Sequence, residues 1–309
     1  MLGAALLAGA AALLVVGAEL FVANAAGAAR RLGTSVVAVG ILLAGAEPEE
    51  LLTAVIAALR DRPGLAAGDA IGANVTMLTA CLGLAAVIRP LPLGRRVREY
   101  AVLASACGAL AALLLVDGRV GRQEGVLLVV VYGALVAVVW WREKQPPAVG
   151  ELAEMTDPGA AGRRPAVALL LALAGVGLML VGGDVAVRGA VRGVAALDRA
   201  DTAVGLTLLA LATTAELFAL VLAAARHDVP EIAVAGVVGS ALYNATVTLG
   251  AAAVARPLVV VGGILPAAVT AAALPLLLAA LSGRPGRLHR PAGVALVAGY
   301  AAYVVIVLG

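Results

Sequence analysis

"LLAGAEPEELLTAVIAALR", residues 42–60, lies without a gap over "LLALATTAELFALVLAAAR", residues 208–226. The overlay pairs Glu50 with Glu216 and Arg60 with Arg226. Upstream, "GAELFVANAAGAARR" (17–31) matches "GGDVAVRGAVRGVAA" (182–196) and pairs Glu19 with Asp184. Downstream, "AAGDAIGANVTM" (66–77) matches "AVAGVVGSALYN" (233–244) and pairs Gly72 with Gly239. The offsets of 165, 166 and 167 are steady, so the chain is an internal repeat. An Ala- and Leu-rich chain yields chance matches, and the case therefore rests on the acidic and glycine positions.

The composition says where such a repeat resides. Of 309 residues 63% are hydrophobic and 13% charged, and the mean hydropathy is +1.06, far outside the range of a soluble domain. A lipid-embedded helix needs about 20 predominantly apolar residues. Ten runs qualify: 2–28, 34–59, 66–88, 99–116, 124–141, 166–190, 202–225, 230–255, 258–281 and 292–308. They are longer and more continuous than the alternating segments of a membrane β-barrel, so the expected fold is all-α and polytopic. The N-terminus lacks the basic leader and cleavage region of a secretory signal and reads as the first span.

The longest polar stretch, "WWREKQPPAVGELAEMTDPGAAGRRP" (140–165), divides the spans into two sets of five. The expected organisation is a first five-helix repeat at 1–141, a linker at 142–165 and a second repeat at 166–309. A unit with an odd number of spans leaves on the side opposite its start, so the second copy is inverted. Inverted repeats mark transporters, with a binding site near mid-membrane where the repeats meet. Most of the 22 Lys and Arg residues fall in the loops that face the cytoplasm if the N-terminus is outside, among them Arg30, Arg31, Arg95, Arg96, Arg163 and Arg164. This loop bias accounts for the net charge of +3, and no nucleic-acid partner is expected. Trp140 and Trp141 fit an interfacial belt and equally a helix end. Cys81 and Cys107 fall within apolar spans and read as small buried side chains, forming neither a metal motif nor a disulfide framework.

Glu47, Glu49 and Glu50 sit inside the apolar run from Val36 to Leu59. Each unpaired carboxylate near the bilayer centre costs about 2.5–3.5 kcal/mol on insertion scales, so something must compensate. Three residues apart on a helix, Glu47 and Glu50 share a face, whereas Glu49 points about 100° from Glu50. The pair can bind a cation, hold a proton, or alternate between the two. Pro48 predicts a kink that frees the carbonyl of Ala44, either as a cation ligand or as a packing device alone. Asp69 either joins the site or faces water at a span end. Asn74 reads as an interhelical donor, "GDAIG" (68–72) as a close-packing or a functional pattern, and Arg188 and Arg192 as snorkelling side chains.

An acidic span followed by a Gly-rich span, repeated in the second half, resembles the sodium/calcium exchanger family of the cation/calcium antiporter superfamily. Each of that family's repeats reads approximately G-T-S-x-P-E-L and then G-N-x-x-G-S. Here the first copy is "GAEPEEL" (45–51) and "GDAIGA" (68–73), the second "LATTAEL" (211–217) and "AGVVGS" (235–240). The resemblance implies that Glu50 and Glu216 are the central cation-binding glutamates. It places Glu47 and Thr213 at the motif serine, Asp69 and Gly236 at the Asn, and Ser240 and Ala73 at the last serine. Four residues further on, the family's amide or acid ligand corresponds to Asn244 and to Met77, of which only Asn244 can coordinate. Ala46 and Ala212 replace the threonine, and the first proline is displaced to Pro48. Glu19 and Asp184 fall on the long mobile spans, as gating or accessory residues.

The implied function is secondary antiport in a bacterial plasma membrane, exchanging Ca²⁺ or a related cation for Na⁺ or H⁺ by alternating access. The partners are the lipid bilayer and inorganic cations. The cations are cargo, no resident cofactor is expected, and the protein is not expected to be an enzyme. Glu47, Glu50, Asp69 and Glu216 supply up to four negative charges, which favours a divalent ion or proton coupling. Ca²⁺ takes six to eight oxygens, within reach of Glu47, Glu50, Thr213, Glu216, Ser240 and Asn244 together with carbonyls and water. His227 and His289 lie in loops, which argues against a transition-metal site. The alternatives are a proton-coupled or non-calcium transporter of the same fold and a transport-inactive paralogue acting as a scaffold. An intramembrane aspartyl protease built on Asp69 and Asp184 would need paired Asp where the repeats provide Glu. Oligomeric state, stoichiometry and electrogenicity leave no mark in the sequence.

Overall fold

The computed structural model describes residues 2–31, 47–93, 95–143, 165–215, 217–218, 221, 230–260, 262–281 and 286–309. Helix α1 spans Leu2–Arg31, α2 Pro48–Leu59, α3 Pro63–Ile88, α4 Arg95–Leu114 and α5 Arg122–Glu143. The second half repeats the order with α6 at Pro165–Leu197 and α7 at Asp201–Thr213. Helix α8 starts as Pro230–Tyr243 and ends as Leu249–Ala255, followed by α9 at Ile264–Leu281 and α10 at Arg290–Leu308. Each of the ten expected spans thus contains a helix among its described residues. Five of these helices, Pro63–Ile88, Val97–Leu114, Leu173–Leu197, Gly236–Ala255 and Arg290–Leu308, are long and apolar enough to cross a membrane.

Two short sheets show how the halves interlock. Strand β1 (Leu91–Pro92) pairs antiparallel with β4 (Arg287–Leu288), and β2 (Arg119–Val120) with β3 (Leu258–Val259). The repeat carries β1 onto β3 and β2 onto β4, so each sheet takes one strand from each half and the two sheets are equivalent. Two hydrogen bonds lie on the symmetry axis itself, because each joins residues 167 apart. Asn74 Nδ2 donates to the carbonyl of Ala241 (2.9 Å), and Ser105 Oγ to that of Ala272 (2.6 Å). A contact between a residue and its own repeat equivalent can form only across a twofold axis. The fold is therefore two inverted five-helix repeats.

Glycine sets the spacing at these seams. A Cβ at Gly83 would lie 2.9 Å from the carbonyl of Gly293, and one at Gly250 2.7 Å from that of Gly125. Both are backbone-to-backbone approaches of the small-residue kind used where hydrocarbon supplies no hydrophobic drive. The two long helices α1 and α6 pack along one another in the same way. A Cβ at Gly17 would meet Gly175 O at 2.9 Å. With 30 and 33 residues they are about 45 and 50 Å long at 1.5 Å per residue, so they must tilt in, or extend beyond, a hydrocarbon layer of about 30 Å. The outward faces carry apolar side chains such as Leu113, Val305 and Ile306, the last 78% exposed. That surface suits lipid rather than water.

Two expectations change. The ninth span does not begin at 258, because Leu258 and Val259 extend as β3 and the positive φ of Gly262 (72°) and Gly263 (69°) breaks the chain before Ile264. Pro48 does not kink a continuous helix. It is the first residue of α2, with Glu47 in a non-helical conformation (φ −101°, ψ 84°) before it. A proline loses nothing there, since the first N–H of a helix has no intrahelical partner. Ala44 lies outside the described residues.

Candidate functional site

The acidic stretch is buried where the helices of both repeats meet. Glu47, Glu49 and Glu50 are all shielded from solvent, Glu50 completely. Leu51 N donates to Glu47 O (3.1 Å), closing the first turn of α2 directly after the non-helical Glu47. In the second copy α7 ends at Thr213, the equivalent of Glu47, and Thr214 after it leaves helical geometry (φ −76°, ψ 6°). Each copy of the acidic stretch thus departs from helical geometry within one residue of the matched Glu47 and Thr213 positions, and such departures let transporter helices expose polar groups in mid-membrane.

Partners for these acids come from the opposite repeat. Asn244 Nδ2 donates to Glu47 Oε2 (3.2 Å) and also to Glu50 Oε2. One amide of the second repeat therefore bridges two carboxylates of the first. Asn244 Oδ1 accepts from Thr248 Oγ1 (2.8 Å), which orients the amide. Ser240, one turn earlier on α8 and 1% exposed, lies within hydrogen-bonding reach of Glu47. In the reverse sense, Thr213 of the second repeat donates to Asp69 Oδ1 of the first (2.9 Å). Asp69 is fully buried, so it does not face water at a span end.

Local helix geometry aims these side chains. Helix α3 carries a π-helical turn at Met77–Cys81, and α8 carries one at Asn244–Thr248, 167 residues on. A third lies at Gly205–Leu209 in α7. Such turns concentrate at functional sites because one extra residue re-aims the faces on either side. Close approach of α3 and α7 explains "GDAIG". A Cβ on Gly68 would lie 2.8 Å from Thr202 O, and one on Gly72 2.5 Å from Leu206 O.

Of the candidate ligands, Glu47, Glu50, Asp69, Thr213, Ser240 and Asn244 converge at the junction of the repeats. Glu216 lies outside the described residues, as does the side chain of Glu19. Asn74 takes the interhelical role expected of it. Asp184 is set apart on α6, paired with Arg60 and with Arg188 (2.7 Å). Thr248 was missed by motif reasoning, although its spacing of four from Asn244 on one helix face was a usable signal. The burial of Glu49 had no such signal.

The chemistry of the site follows from what is left unsatisfied. Among the described residues, Glu47 Oε1, Glu50 Oε1 and Asp69 Oδ2 are buried without a hydrogen-bond partner. Carboxylate oxygens in that condition call for a cation or a proton. No three His, Cys, Asp or Glu side chains among the described residues form a metal cluster. Beside the carboxylates the described residues offer the Asn244 amide and the hydroxyls of Thr213 and Ser240, oxygen donors of the kind a hard ion takes. Cys81 and Cys107 are free and buried.

Comparison with known proteins agrees with this geometry. The "Sodium/calcium exchanger protein" family model matches residues 2–141 and 167–309. The chain is 28% identical over 310 residues to the putative antiporter CaxA of Alkalimonas amylolytica, covering 94% of each protein. It is 29% identical over 232 residues to the uncharacterized membrane protein MJ0091 of Methanocaldococcus jannaschii, covering 74% of each. The solved structure of the sodium-calcium exchanger NCX_Mj, soaked with Na⁺ and Sr²⁺, superposes with a TM-score of 0.65 at 24% identity, covering 99% of each chain, a likeness of fold. The chain is thus a multi-pass membrane protein of the cation-antiporter class and belongs to the sodium/calcium exchanger protein family.

Proposed function

We propose that the protein exchanges Ca²⁺, or a related divalent cation, for Na⁺ or H⁺ by alternating access across a bacterial plasma membrane. The observation that carries this reading is the buried bridge from Asn244 to Glu47 and Glu50, with one oxygen of each carboxylate unpartnered. The ligand set is Glu50, Glu216, Glu47, Thr213, Asp69, Ser240 and Asn244. The repeat boundaries are 1–141 and 166–309, joined by a cytoplasmic linker, with the N-terminus outside. The cargo ion and its competitor neutralise the same carboxylates, so both cannot be bound at once. That exclusion couples the two fluxes.

Proton coupling has one specific observation in its favour. Where the second repeat has Thr213, the first has Glu47, a further carboxylate sharing an amide donor with Glu50. The test is flux into proteoliposomes with imposed Na⁺ or H⁺ gradients and a panel of divalent cations. Divalent uptake driven by one gradient and lost in Glu50→Gln supports the reading. Full uptake in Glu50→Gln refutes the site, and no uptake of any cation under either gradient favours the scaffold alternative.

A further inference from the structure

A second polar cluster lies away from the carboxylates, where the turn between α2 and α3 meets α6 and the start of α7. The turn between α2 and α3 presents Arg60 and Arg62. Helix α6 faces it with Val187, Arg188, Val191 and Arg192, and these six residues line a cavity of ≈ 450 Å³. The turn is held in place independently, since Asp61 adopts a positive φ (61°) and pairs with Arg256 at 2.7 Å. Two carboxylates face the four guanidiniums. Asp184 binds Arg60 and Arg188, whereas Asp201 reaches Arg62 only at 3.4 Å, beyond the 2.7–2.9 Å of a charge-assisted bond. Among the described residues Arg192 has no ion-pair partner. The cavity therefore carries an excess of about two positive charges, since Arg60 and Arg188 share the one carboxylate of Asp184 and Arg192 has none, while Arg62 is held only loosely by Asp201.

We propose that this cavity binds a phosphate group, and that its source is the headgroup of an anionic phospholipid. Guanidinium forks on opposing walls match the geometry of phosphate oxygens. The volume falls in the range of small-molecule pockets, about 300–1,000 Å³, and exceeds what a bare phosphate fills. Val191, half-buried above the buried Val187, gives an apolar spot beside the arginines, suited to the glycerol and upper acyl carbons of a lipid. The bound group ties the α2–α3 turn to α6. Helix α2 also carries Glu50, ten residues or about 15 Å before Arg60, so the lipid fixes the helix that presents the cation ligands against the long helix beside it.

The test measures binding, so its outcome does not depend on transport. Thermal stability of the purified full-length protein in detergent is followed with phosphatidylglycerol, phosphatidylcholine or inorganic phosphate added. The double variant Arg62→Gln/Arg192→Gln is compared, because these two side chains hold the weakest protein contacts in the cluster. Phosphatidylglycerol raises the midpoint by several degrees over phosphatidylcholine, high salt reduces the rise, and the double variant loses it. An equal rise in the variant, or no difference between the two lipids, overturns the proposal. A rise with inorganic phosphate that the variant loses and phosphatidylglycerol does not match overturns the lipid source and assigns the cavity to soluble phosphate. If the double variant cannot be purified, native mass spectrometry of Arg192→Gln decides. One fewer retained phosphatidylglycerol than wild type supports the site, and an equal number overturns it.

Discussion

Replacing Gly72 by alanine changes the site without touching any ligand. The added Cβ would lie 2.5 Å from Leu206 O, 2.6 Å from its Cα and 2.7 Å from its carbonyl carbon, all backbone atoms of α7. Ordinary contact begins at 3.4 Å, so α3 and α7 must separate by about 0.9 Å, because packed interiors do not absorb the overlap. Asp69 rides on α3 one turn from Gly72, and Thr213 sits at the end of α7. Their 2.9 Å hydrogen bond stretches to about 3.8 Å and is lost as a bond. Losing a buried hydrogen bond to a carboxylate costs about 1.5–3 kcal/mol, and overpacking adds about 1–3 kcal/mol. The expected result for Gly72→Ala is a midpoint lowered by several degrees and cation affinity reduced about 10- to 100-fold. Gly133→Ala is the control, since nothing lies within 4 Å of a Cβ there, and it should match wild type. The readouts are the cation-induced rise in thermal midpoint and the initial rate of uptake into proteoliposomes. Wild-type affinity and stability in Gly72→Ala would refute the claim that this helix contact sets the Asp69–Thr213 geometry.

Asn244→Leu removes the amide that bridges Glu47 and Glu50. It leaves buried acceptors without donors and destabilises the cation-free protein by about 2–4 kcal/mol; melting without cations measures this, and an unchanged midpoint contradicts the bridge. Asp184→Asn breaks pairs that are 28–60% exposed, so the loss is at most about 1 kcal/mol and vanishes in high salt; a larger, salt-independent loss in denaturation would show the cluster to be structural. Ser105→Ala deletes the bond to Ala272 O on the symmetry axis and lowers stability by about 1 kcal/mol with transport intact; lost exchange at full stability would mean the axis contact moves during the cycle.

What the sequence disclosed and what it concealed divide by the range of the interaction. Spans were legible because each needs only its own apolar run, and the repeat because Glu50 and Gly72 recur with their partners at nearly constant offset. Glu47 was legible through its spacing from Glu50, although its own backbone is not helical, and Asn244 through the motif. The two sheets were not, since each strand has two residues and pairs with a strand well over a hundred positions away. Nor were the π-helical turns, which depend on how α3 and α8 are pressed by their neighbours. Pro48 misled because a proline inside a long apolar run reads equally as a kink and as a helix start. Only the non-helical backbone of Glu47 decides between them.

The departures from twofold symmetry bear most directly on how the site works. One stripe of α3 reads Asp69, Ala73, Met77 and Cys81, and the equivalent stripe of α8 reads Gly236, Ser240, Asn244 and Thr248. Asp69 meets Thr213 O–H, and Cys81 Sγ meets the carbonyl of Leu217 at 3.6 Å, so the α3 stripe faces α7 and the segment that follows it. The α8 stripe faces α2 through Ser240 and Asn244. A cation approaching α8 therefore finds amide and hydroxyl oxygens opposite two carboxylates. The α3 stripe itself supplies one carboxylate, opposite the Thr213 hydroxyl, and then sulfur, which a hard ion ligates poorly. Two halves that are equivalent in backbone are thus inequivalent in donors among the described residues, with α8 presenting an amide and a hydroxyl to Glu47 and Glu50 and α3 presenting Asp69 to Thr213.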